Sequence, residues 1–209
     1  MSKIKKYDAA AIEVLEGLEP VRRRPGMYIG GTDNSSMHHL FSEVIDNAMD
    51  EAVANFASFI EIRIEENNLI SVYDNGRGIP VDPHPNFPDK SALEVIMTTL
   101  HAGGKFSNKV YQTSGGLHGV GISVVNALSE FVDVEIYRDK KIYNQQFSKG
   151  SCLTKLKQVN KKTNKKGTKI SFRPDPEIFG LENKFNVKKL YNFSTVSYTH
   201  LTLPTKCSV

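Results

Sequence analysis

Residues His38–Ala52 (HHLFSEVIDNAMDEA) combine apolar and polar positions in a pattern that predicts an amphipathic helix. Apolar residues recur at positions i, i+3, i+4, i+7 and i+11, which is the spacing of a single helical face. That face consists of Phe41, Val44, Ile45, Ala48 and Ala52. The opposite face carries four polar residues, and these are Glu43, Asp46, Asn47 and Asp50. We therefore expect the apolar side of this helix to pack into a core.

The polar face of this helix could be an ordinary solvated surface. Its composition favours another interpretation, because Asn and Asp are weak helix formers and Asp46 and Asp50 place like charges one turn apart. His39 adds a titratable group one turn before Glu43. We expect the polar face to look into a binding or catalytic site, and the rest of the chain has to decide between the two interpretations.

Alternating apolar and polar residues predict several β-strands. The predicted strands are Phe59–Glu65, Leu69–Tyr73, Phe131–Tyr137, Ile142–Phe147 and Lys169–Phe172. Asn67-Asn68 is predicted to form the turn between the first two strands. Ser91–Leu100 is predicted to be a short helix with Ser91 and Glu94 as its capping box. This order of elements predicts an α+β fold, with helices packed on one face of a mixed, mostly antiparallel sheet.

The segments between these elements are predicted to be loops or irregular. Ala9–Leu18 has modest helical character, and Glu19-Pro20 is expected to end it before a basic loop, Val21–Tyr28. Val81–Lys90 contains three prolines and is predicted to be extended. Ser194–Val209 is polar and lacks a helical period, so we expect a disordered or loosely packed tail, either a truncated or an artefactual end.

A strand that runs directly into Asp74-x-Gly76-x-Gly78 is typical of a binding loop. Glycine lets the backbone approach a ligand closely or adopt a positive φ, and an aspartate at a strand end is a fixed hydrogen-bond acceptor. An ordinary Asn-Gly turn is an equally good interpretation of this motif alone.

The segment His101–Gly121 contains six glycines in 21 residues and has little periodicity, so we expect it to be a lid. Its last seven residues, Gly115–Gly121, run into an apolar helix whose free N–H groups could bind phosphates. Lys105 is a candidate cation for the same phosphates. A merely flexible glycine-rich turn is the alternative interpretation.

Composition narrows the class of protein. The chain has 209 residues, of which 39% are hydrophobic, and this suits one large domain with a core. No apolar run approaches about eighteen residues, and the N-terminus lacks the apolar region of a secretory signal, so no membrane association is expected. The two cysteines, Cys152 and Cys207, suggest neither a disulfide framework nor a metal cluster, and a reducing cytoplasm is the expected compartment.

The net charge of +4 depends on one lysine-rich segment, without which it would be −3. Its seven lysines have no acid between them, and they are Lys155, Lys157, Lys161, Lys162, Lys165, Lys166 and Lys169. A solvated turn is the simpler interpretation, and electrostatic contact with DNA phosphates is the alternative. No aromatic residues are interleaved, so base stacking is not predicted.

Three of these patterns occur in the same order in the GHKL ATPases, the family of the gyrase, chaperone, histidine-kinase and MutL-type enzymes. Glu43-x-x-x-Asn47, Asp74-x-Gly76-x-Gly78 and Gly115–Gly121 resemble the three nucleotide-binding motifs of that family. The resemblance implies ATP as the ligand, Mg²⁺ as the metal and the two-layer Bergerat fold as the architecture.

A narrower resemblance covers roughly residues 7–193. The stretches VLEGLEPVRRRPGMYIG, EVIDNAMDEA, LHAGGKFSNKVYQTSGGLHGVG and SVVNALS resemble bacterial type II topoisomerase B subunits. Ser107–Lys109 and Gly121–Ser129 are more similar to the topoisomerase IV B subunits than to the gyrase B subunits.

The resemblance implies roles for residues of the polar helical face and of the lid. Glu43 would be the general base that activates water, His39 would orient it, and Asn47 would ligate Mg²⁺ at the phosphates. Lys105 would lie near the triphosphate, and Tyr7 would reach from the N-terminal arm into the partner's nucleotide site. The backbone that wraps the triphosphate would be that of Gly115, Gly116, Leu117, His118, Gly119, Val120 and Gly121.

Other residues would hold the base. Asp74 would accept a hydrogen bond from the adenine amino group, which favours ATP over GTP. Gly78, and Thr168 through an ordered water, would help to frame the base. The mouth of the pocket, where aminocoumarin-type inhibitors bind in this family, would be lined by Glu51, Arg77, Pro80 and Arg138.

The same resemblance implies an organisation and a set of partners. Residues 1–193 would be the ATPase domain, with residues 1–20 as a dimerisation arm, 101–121 as the ATP lid and 194–209 as an anomalous tail. ATP would close a homodimer around double-stranded DNA, and hydrolysis would drive strand passage with a cleavage subunit similar to that of topoisomerase IV. In this family a transducer domain follows and supplies a lysine to the γ-phosphate, so we expect weak or absent turnover from these residues alone.

Other functions stay open on the sequence. A gyrase B protein, or a nucleotide-binding module of the same family without turnover, would carry the same motifs. A MutL-like clamp or a chaperone is disfavoured by VRRRPGMYIG and LHAGGKF. The absence of G-x-x-x-x-G-K-[ST] excludes a P-loop NTPase, and the lack of a βαβ repeat around Gly115 argues against a dinucleotide-binding fold.

Overall fold

The computed structural model describes residues 14–102, 119–196 and 205–208. Its helices are α1 (Glu19–Arg23), α2 (Gly26–Ile29), α3 (Asn34–Val53), α4 (Ala92–Thr98), α5 (Gly121–Ala127), α6 (Pro176–Phe179) and α7 (Val187–Val196). Its strands are β1 (Ile60–Ile64), β2 (Ile70–Asp74), β3 (Pro83–His84), β4 (Phe87–Ser91), β5 (Ser129–Arg138), β6 (Lys141–Ser148), β7 (Ser151–Cys152), β8 (Lys157–Val159), β9 (Gly167–Pro174) and β10 (Thr205–Ser208). No helix in these ranges is long and apolar enough to cross a membrane.

One sheet organises the described residues, in the strand order β10-β1-β2-β9-β5-β6-β7, with β8 also paired to β6. Neighbouring strands are antiparallel except for β10, which runs parallel to β1. β3 and β4 form a separate hairpin. The predicted α+β fold with a mixed, mostly antiparallel sheet is therefore confirmed.

The core lies between the sheet and the helices α3, α4 and α5. The apolar stripe of α3 is buried as predicted, and Phe41 is only 1% exposed. Ile70 and Val72 of β2 belong to the same core, because alternate residues of a strand point to the same face. The other face of the sheet, here called the open face, carries half-buried polar residues such as Tyr73, Glu135 and Lys169.

The N-terminal helices replace two predicted loops. Pro20 lies in the first turn of α1, where its missing N–H would have no intrahelical partner, so it helps to begin a helix rather than ending one. The predicted basic loop at Val21–Tyr28 is therefore wrong, since α1 and α2 occupy most of it. α3 begins four residues earlier than predicted, because Asp33 caps it by accepting a hydrogen bond from Ser36 N at 2.8 Å.

Two predictions of irregular structure are also wrong in part. Val81–Lys90 contains most of the β3–β4 hairpin. Ser194–Val196 continue α7, and Thr205–Ser208 form β10 on an edge of β1 that would otherwise leave backbone groups unpaired. Residues 197–204 and 209 of the predicted tail lie outside the described residues.

The turn between β1 and β2 has the predicted two-residue form, with a φ of 58° at both Asn67 and Asn68. Asn68 also docks a distant segment, because its Nδ2 donates to Asn183 O at 2.7 Å and its Oδ1 accepts from Phe185 N at 3.2 Å. The ring of Phe185 in turn meets that of Phe172 edge-on at 6.1 Å. Asn68 therefore holds the segment before α7 against the sheet.

Replacing Asn68 by glycine should destabilise the fold more than the same change at Asn67. Glycine suits the positive φ of both positions, but Asn68→Gly removes the two bonds to Asn183 and Phe185. We expect the free energy of unfolding to fall by about 1–3 kcal/mol for Asn68→Gly and to change by less than about 0.5 kcal/mol for Asn67→Gly. Urea denaturation measures both, and equal effects would contradict the docking role.

Candidate functional site

A cavity of about 1170 Å³ opens between α3, the loop that follows β2, and the start of α5. Its polar lining includes Glu43, Asp46 and Asn47 from α3, and Asp74 from the end of β2. The polar face of α3 therefore looks into a cavity, as we expected. Apolar side chains also line it, namely Val72, Ile79, Ile96, Ile122 and Ile170.

Asp74 is the buried acid of this cavity. It ends β2, is paired with Thr168 of β9, and is only 6% exposed. Burial raises the pKa of its carboxyl group to about 7, and the charge of Glu51 raises it further, although the backbone N–H of Gly76 opposes the shift. That N–H donates to Asp74 Oδ1 at 2.8 Å. The group is thus a fixed acceptor whose charge changes near neutral pH.

The loop after Asp74 is held over the end of β9. Ile79 N donates to Thr168 Oγ1 at 3.2 Å, and the Arg138 guanidinium donates to Gly78 O at 3.1 Å. Gly78 has a φ of 77°, and a Cβ there would meet the Gly167 carbonyl oxygen at 3.2 Å, so both its conformation and its surroundings favour glycine. The alternative of an ordinary Asn-Gly turn is not supported, because this loop forms a wall of the cavity.

The mouth of the cavity contains a bidentate ion pair between Glu51 and Arg77. The guanidinium contacts the two carboxylate oxygens at 2.6 and 3.1 Å, and the backbone N–H of Arg77 donates to the same carboxylate at 2.9 Å. The guanidinium also stacks on the Phe56 ring at 3.7 Å. Pro80 and Arg138 line the same cavity, so all four residues predicted for the pocket mouth lie together.

The end of the cavity near α5 brings Glu43, Asn47 and Gly121 together. A Cβ at position 121 would overlap the Glu43 carboxylate, so the start of α5 can approach this acid only with glycine there. Asn47 Nδ2 donates to the Glu43 carbonyl oxygen at 2.7 Å, and this bond turns the amide oxygen away from the helix backbone. The arrangement places a carboxylate and an amide oxygen side by side.

Asp50 differs from the other acids of α3. It is 3% exposed and does not line the cavity, so the expectation that the site-facing surface includes Asp50 is wrong. Its position is two helical turns from Glu43, about 10 Å along the axis, and this distance carries it past the site.

His39 is exposed and borders a smaller cavity of about 200 Å³, together with His38, Ser42 and Lys189. It is not among the residues that line the large cavity. Its role in orienting Glu43 therefore stays a prediction. His38 has a different task, because its Nδ1 lies 2.6 Å from Asn34 O and its Nε2 accepts from Asn186 N at 3.0 Å.

The structure describes only part of the predicted lid. Gly119, Val120 and Gly121 line the cavity, as do His101 and Ala102 at the other end of the segment. Several predicted site residues lie outside the described residues, namely Tyr7, Lys105, Gly115, Gly116, Leu117 and His118.

Sequence reasoning missed part of the lining. Val72 and Ile170 are directly paired across β2 and β9, two residues from Asp74 and Thr168, so alternation along the strands could have identified them. Met27 and Tyr28 also line the cavity, from a segment that was predicted to be a loop. Only the position of α2 in the fold reveals them.

Comparison with known proteins shows similar chains among the B subunits of topoisomerases. The chain is 59% identical over 206 residues to the DNA topoisomerase 4 protein of this kind from Rickettsia felis, covering 97% of this chain and 31% of that protein. It is 61% identical over 189 residues to the one from Caulobacter vibrioides, covering 90% and 27%. The corresponding DNA gyrase protein from Thermotoga maritima is 53% identical over 183 residues, covering 88% and 28%. The chain therefore spans about three tenths of the length of these relatives.

A solved structure shares the fold. The crystal structure of the 43K ATPase domain of Thermus thermophilus gyrase B in complex with an aminocoumarin is 44% identical, with a TM-score of 0.76, and the match covers 91% of this chain and 48% of that one. The predicted resemblance to type II topoisomerase B subunits, with topoisomerase IV before gyrase, is confirmed by these relatives.

The family follows from a longer match. Residues 32–178 match the family model of the histidine kinase-, DNA gyrase B-, and HSP90-like ATPases. This range contains α3, the loop after β2, α5 and Thr168, which together form the cavity. The chain therefore belongs to the histidine kinase-, DNA gyrase B- and HSP90-like ATPase family.

Proposed function

We propose that the large cavity binds ATP with Mg²⁺, and that the chain is the ATPase part of a type II topoisomerase B protein of the topoisomerase IV kind. One observation carries this proposal, namely the buried carboxyl group of Asp74 in the same cavity as Glu43 and Asn47. A base-binding acceptor and a hydrolytic acid are thereby combined in one site. The lower identity to gyrase B makes that protein the second candidate.

The part of the cavity around Asp74 suits adenine. Val72, Ile79 and Ile170 supply apolar surface for a planar ring, and Asp74 supplies an acceptor for its amino group. A base that presents a carbonyl oxygen at this point would leave the buried acceptor without a donor, which costs binding energy. Gly78 and Thr168 would frame the same base, since their loop and strand are hydrogen-bonded through Ile79 N.

The part of the cavity around Glu43 suits phosphate chemistry. Asn47 would hold Mg²⁺ through its amide oxygen, and in the described part of the chain no cluster of three His, Cys, Asp or Glu residues could hold a metal alone. Mg²⁺ prefers a few protein oxygens together with phosphates and water, and it neutralises charge on the phosphates. Glu43 would accept a proton from the attacking water, with His39 orienting it.

The remaining predicted residues complete the proposal. Lys105, Tyr7 and the backbone of Gly115–Gly121 would contact the triphosphate, the tyrosine from a second copy of the chain. Binding of ATP would close this homodimer on double-stranded DNA in the cytoplasm. Hydrolysis would drive decatenation or relaxation with a cleavage subunit similar to that of topoisomerase IV.

Glu43→Ala should separate binding from hydrolysis. We expect ATP affinity to stay within about threefold of the parent, and single-turnover phosphate release to fall by about 10²–10⁴-fold, because the general base is lost. Calorimetric titration with and without Mg²⁺, followed by phosphate release with protein in excess, measures both. Glu66→Ala, at an exposed glutamate, is the matched control and should change neither.

The possible outcomes of this experiment are distinct. A parental rate in Glu43→Ala would overturn the assignment of the base. Failure of the parent to bind ATP would overturn the proposed function. Binding by the parent without any phosphate release would identify a nucleotide-binding module.

Asp74→Asn should change the pH dependence of stability in the absence of nucleotide. An aspartate in the unfolded chain titrates near 3.8, whereas Asp74 in the fold titrates near 7. Between these values the folded state holds a proton that the unfolded state has released, so parental stability falls as pH rises and levels off above about 7. Asparagine does not titrate, so the variant should gain roughly 2–4 kcal/mol relative to the parent between pH 4 and pH 7.5.

Urea denaturation at several pH values measures this difference. Asp89→Asn, at an exposed position, is the control for a change from Asp to Asn without burial. A constant difference between Asp74→Asn and the parent across this pH range would contradict the raised pKa of Asp74.

A further inference from the structure

Seven exposed lysines on the β6 side of the sheet form a surface that the proposed ATP site does not use. This lysine surface consists of Lys140, Lys141, Lys155, Lys157, Lys161, Lys162 and Lys165. Lys166 is also exposed but lines the nucleotide cavity, so it is left out.

Strand pairing brings two separate groups of lysines together. β8 pairs with β6, which places Lys157 opposite Asn144 and Val159 opposite Ile142. Further along the same segment, Thr163 N donates to Lys140 O at 3.2 Å. The lysines of residues 155–162 therefore lie beside those of the β5–β6 turn.

The other end of this segment is fixed on the open face of the sheet. The Tyr73 hydroxyl donates to Lys166 O at 2.8 Å. Lys165 Nζ lies 5.8 Å from the centroid of the Tyr73 ring and 5.6 Å from that of Tyr137, within the range of cation–π attraction. With β8 at one end and Tyr73 at the other, the segment is a defined array rather than a free turn.

The charge of the lysine surface is not compensated locally. Within the part of the chain that the structure describes, no ion pair joins any of its seven lysines to an acid. The neighbouring acids have other partners, because Glu135 pairs with Lys169 at 3.3 Å and Asp139 lies 3.7 Å from Arg138. Holding like charges together without acids stores an attraction for an anionic partner.

The chemistry of the segment favours phosphates over bases. Its basic residues are all lysines, which are compact cations, and the residues between them include Gln158, Asn160, Thr163 and Asn164, which can donate to phosphate or sugar oxygens. No aromatic residue lies between positions 155 and 166, so the stacking that single strands require is not available from the segment. We propose that the lysine surface binds the phosphate backbone of duplex DNA independently of sequence. The choice of DNA as the polyanion rests on the proposed function.

Salt dependence of DNA binding tests this proposal. The variant Lys155→Gln/Lys157→Gln/Lys161→Gln/Lys162→Gln removes four charges without touching a residue of the nucleotide cavity. Each lost phosphate contact lowers the slope of log affinity against log salt by about 0.9, so the slope should shrink by about 3–4. Fluorescence anisotropy with a labelled duplex of about 20 base pairs, between about 50 and 200 mM salt, measures it. The control Lys90→Gln/Lys184→Gln/Lys188→Gln/Lys189→Gln changes the net charge equally at exposed positions elsewhere, and it should keep the parental slope.

The outcomes separate this inference from the proposed function. Loss of DNA affinity and slope in the first variant, with ATP affinity unchanged, supports the lysine surface. Equal DNA binding by the two variants overturns it, whether or not the chain binds ATP. Tighter binding of the parent to anionic vesicles or to poly-glutamate than to the duplex also overturns it. If ATP fails to bind while the lysine-dependent DNA slope is present, the proposed nucleotide site is wrong and the surface stands.

Charge reversal guards against an effect on folding. Lys161→Glu/Lys162→Glu should weaken duplex binding more than Lys161→Gln/Lys162→Gln, although both pairs change the same exposed side chains. Equal weakening by the two pairs would indicate altered structure instead of lost attraction and would overturn the inference.

Discussion

A carboxyl group buried at the end of a central strand is the most costly feature of this fold, and the surrounding structure accommodates it. Asp74 is almost fully removed from water, and burial is the main reason why its pKa lies near 7. The N–H of Gly76 compensates part of that cost by donating to its Oδ1. Thr168 lies opposite on β9, and its hydroxyl accepts from Ile79 N, which fixes the loop that shields the acid. A ligand that brings a donor to this acid would recover much of the remaining cost.

The helix α3 serves the core and the site with two sides of one element. Its apolar stripe is fully buried, so the position of Glu43 and Asn47 is set by core packing rather than by flexible loops. The carboxylate then lies so close to Gly121 that any side chain there would displace it. Packing in the core and geometry in the site are therefore coupled, because a shift of α3 would move both.

Sequence patterns predicted the elements whose signal is local. The α3 stripe, the alternation in β1 and β2, and the turn at Asn67-Asn68 all follow from spacing or residue type, and the structure has each of them. The N-terminal basic residues show the limit of this reasoning. Arg22 reads as part of a basic loop, yet it donates to Ala127 O at 2.8 Å and pairs with the buried Asp175 at 2.7 Å. Those partners are more than 100 positions away, and no local pattern encodes them. Helical spacing has a similar limit, because it predicts direction and not how far along the axis a cavity extends, so Asp50 shares a face with Glu43 and is still carried past the site.

The parity of β2 separates two surfaces of the molecule. Successive residues of a strand point to opposite faces, so Asp74 faces the cavity while Tyr73 faces the open side of the sheet. Tyr73 there holds the Lys166 carbonyl, and the chain continues from Lys166 through Gly167 to Thr168, which pairs with Asp74. The end of the lysine-rich segment and the wall of the nucleotide cavity are thus consecutive residues of one chain. A one-residue slip of β2 against β9 would disrupt both, so selection on either surface maintains the register of the other.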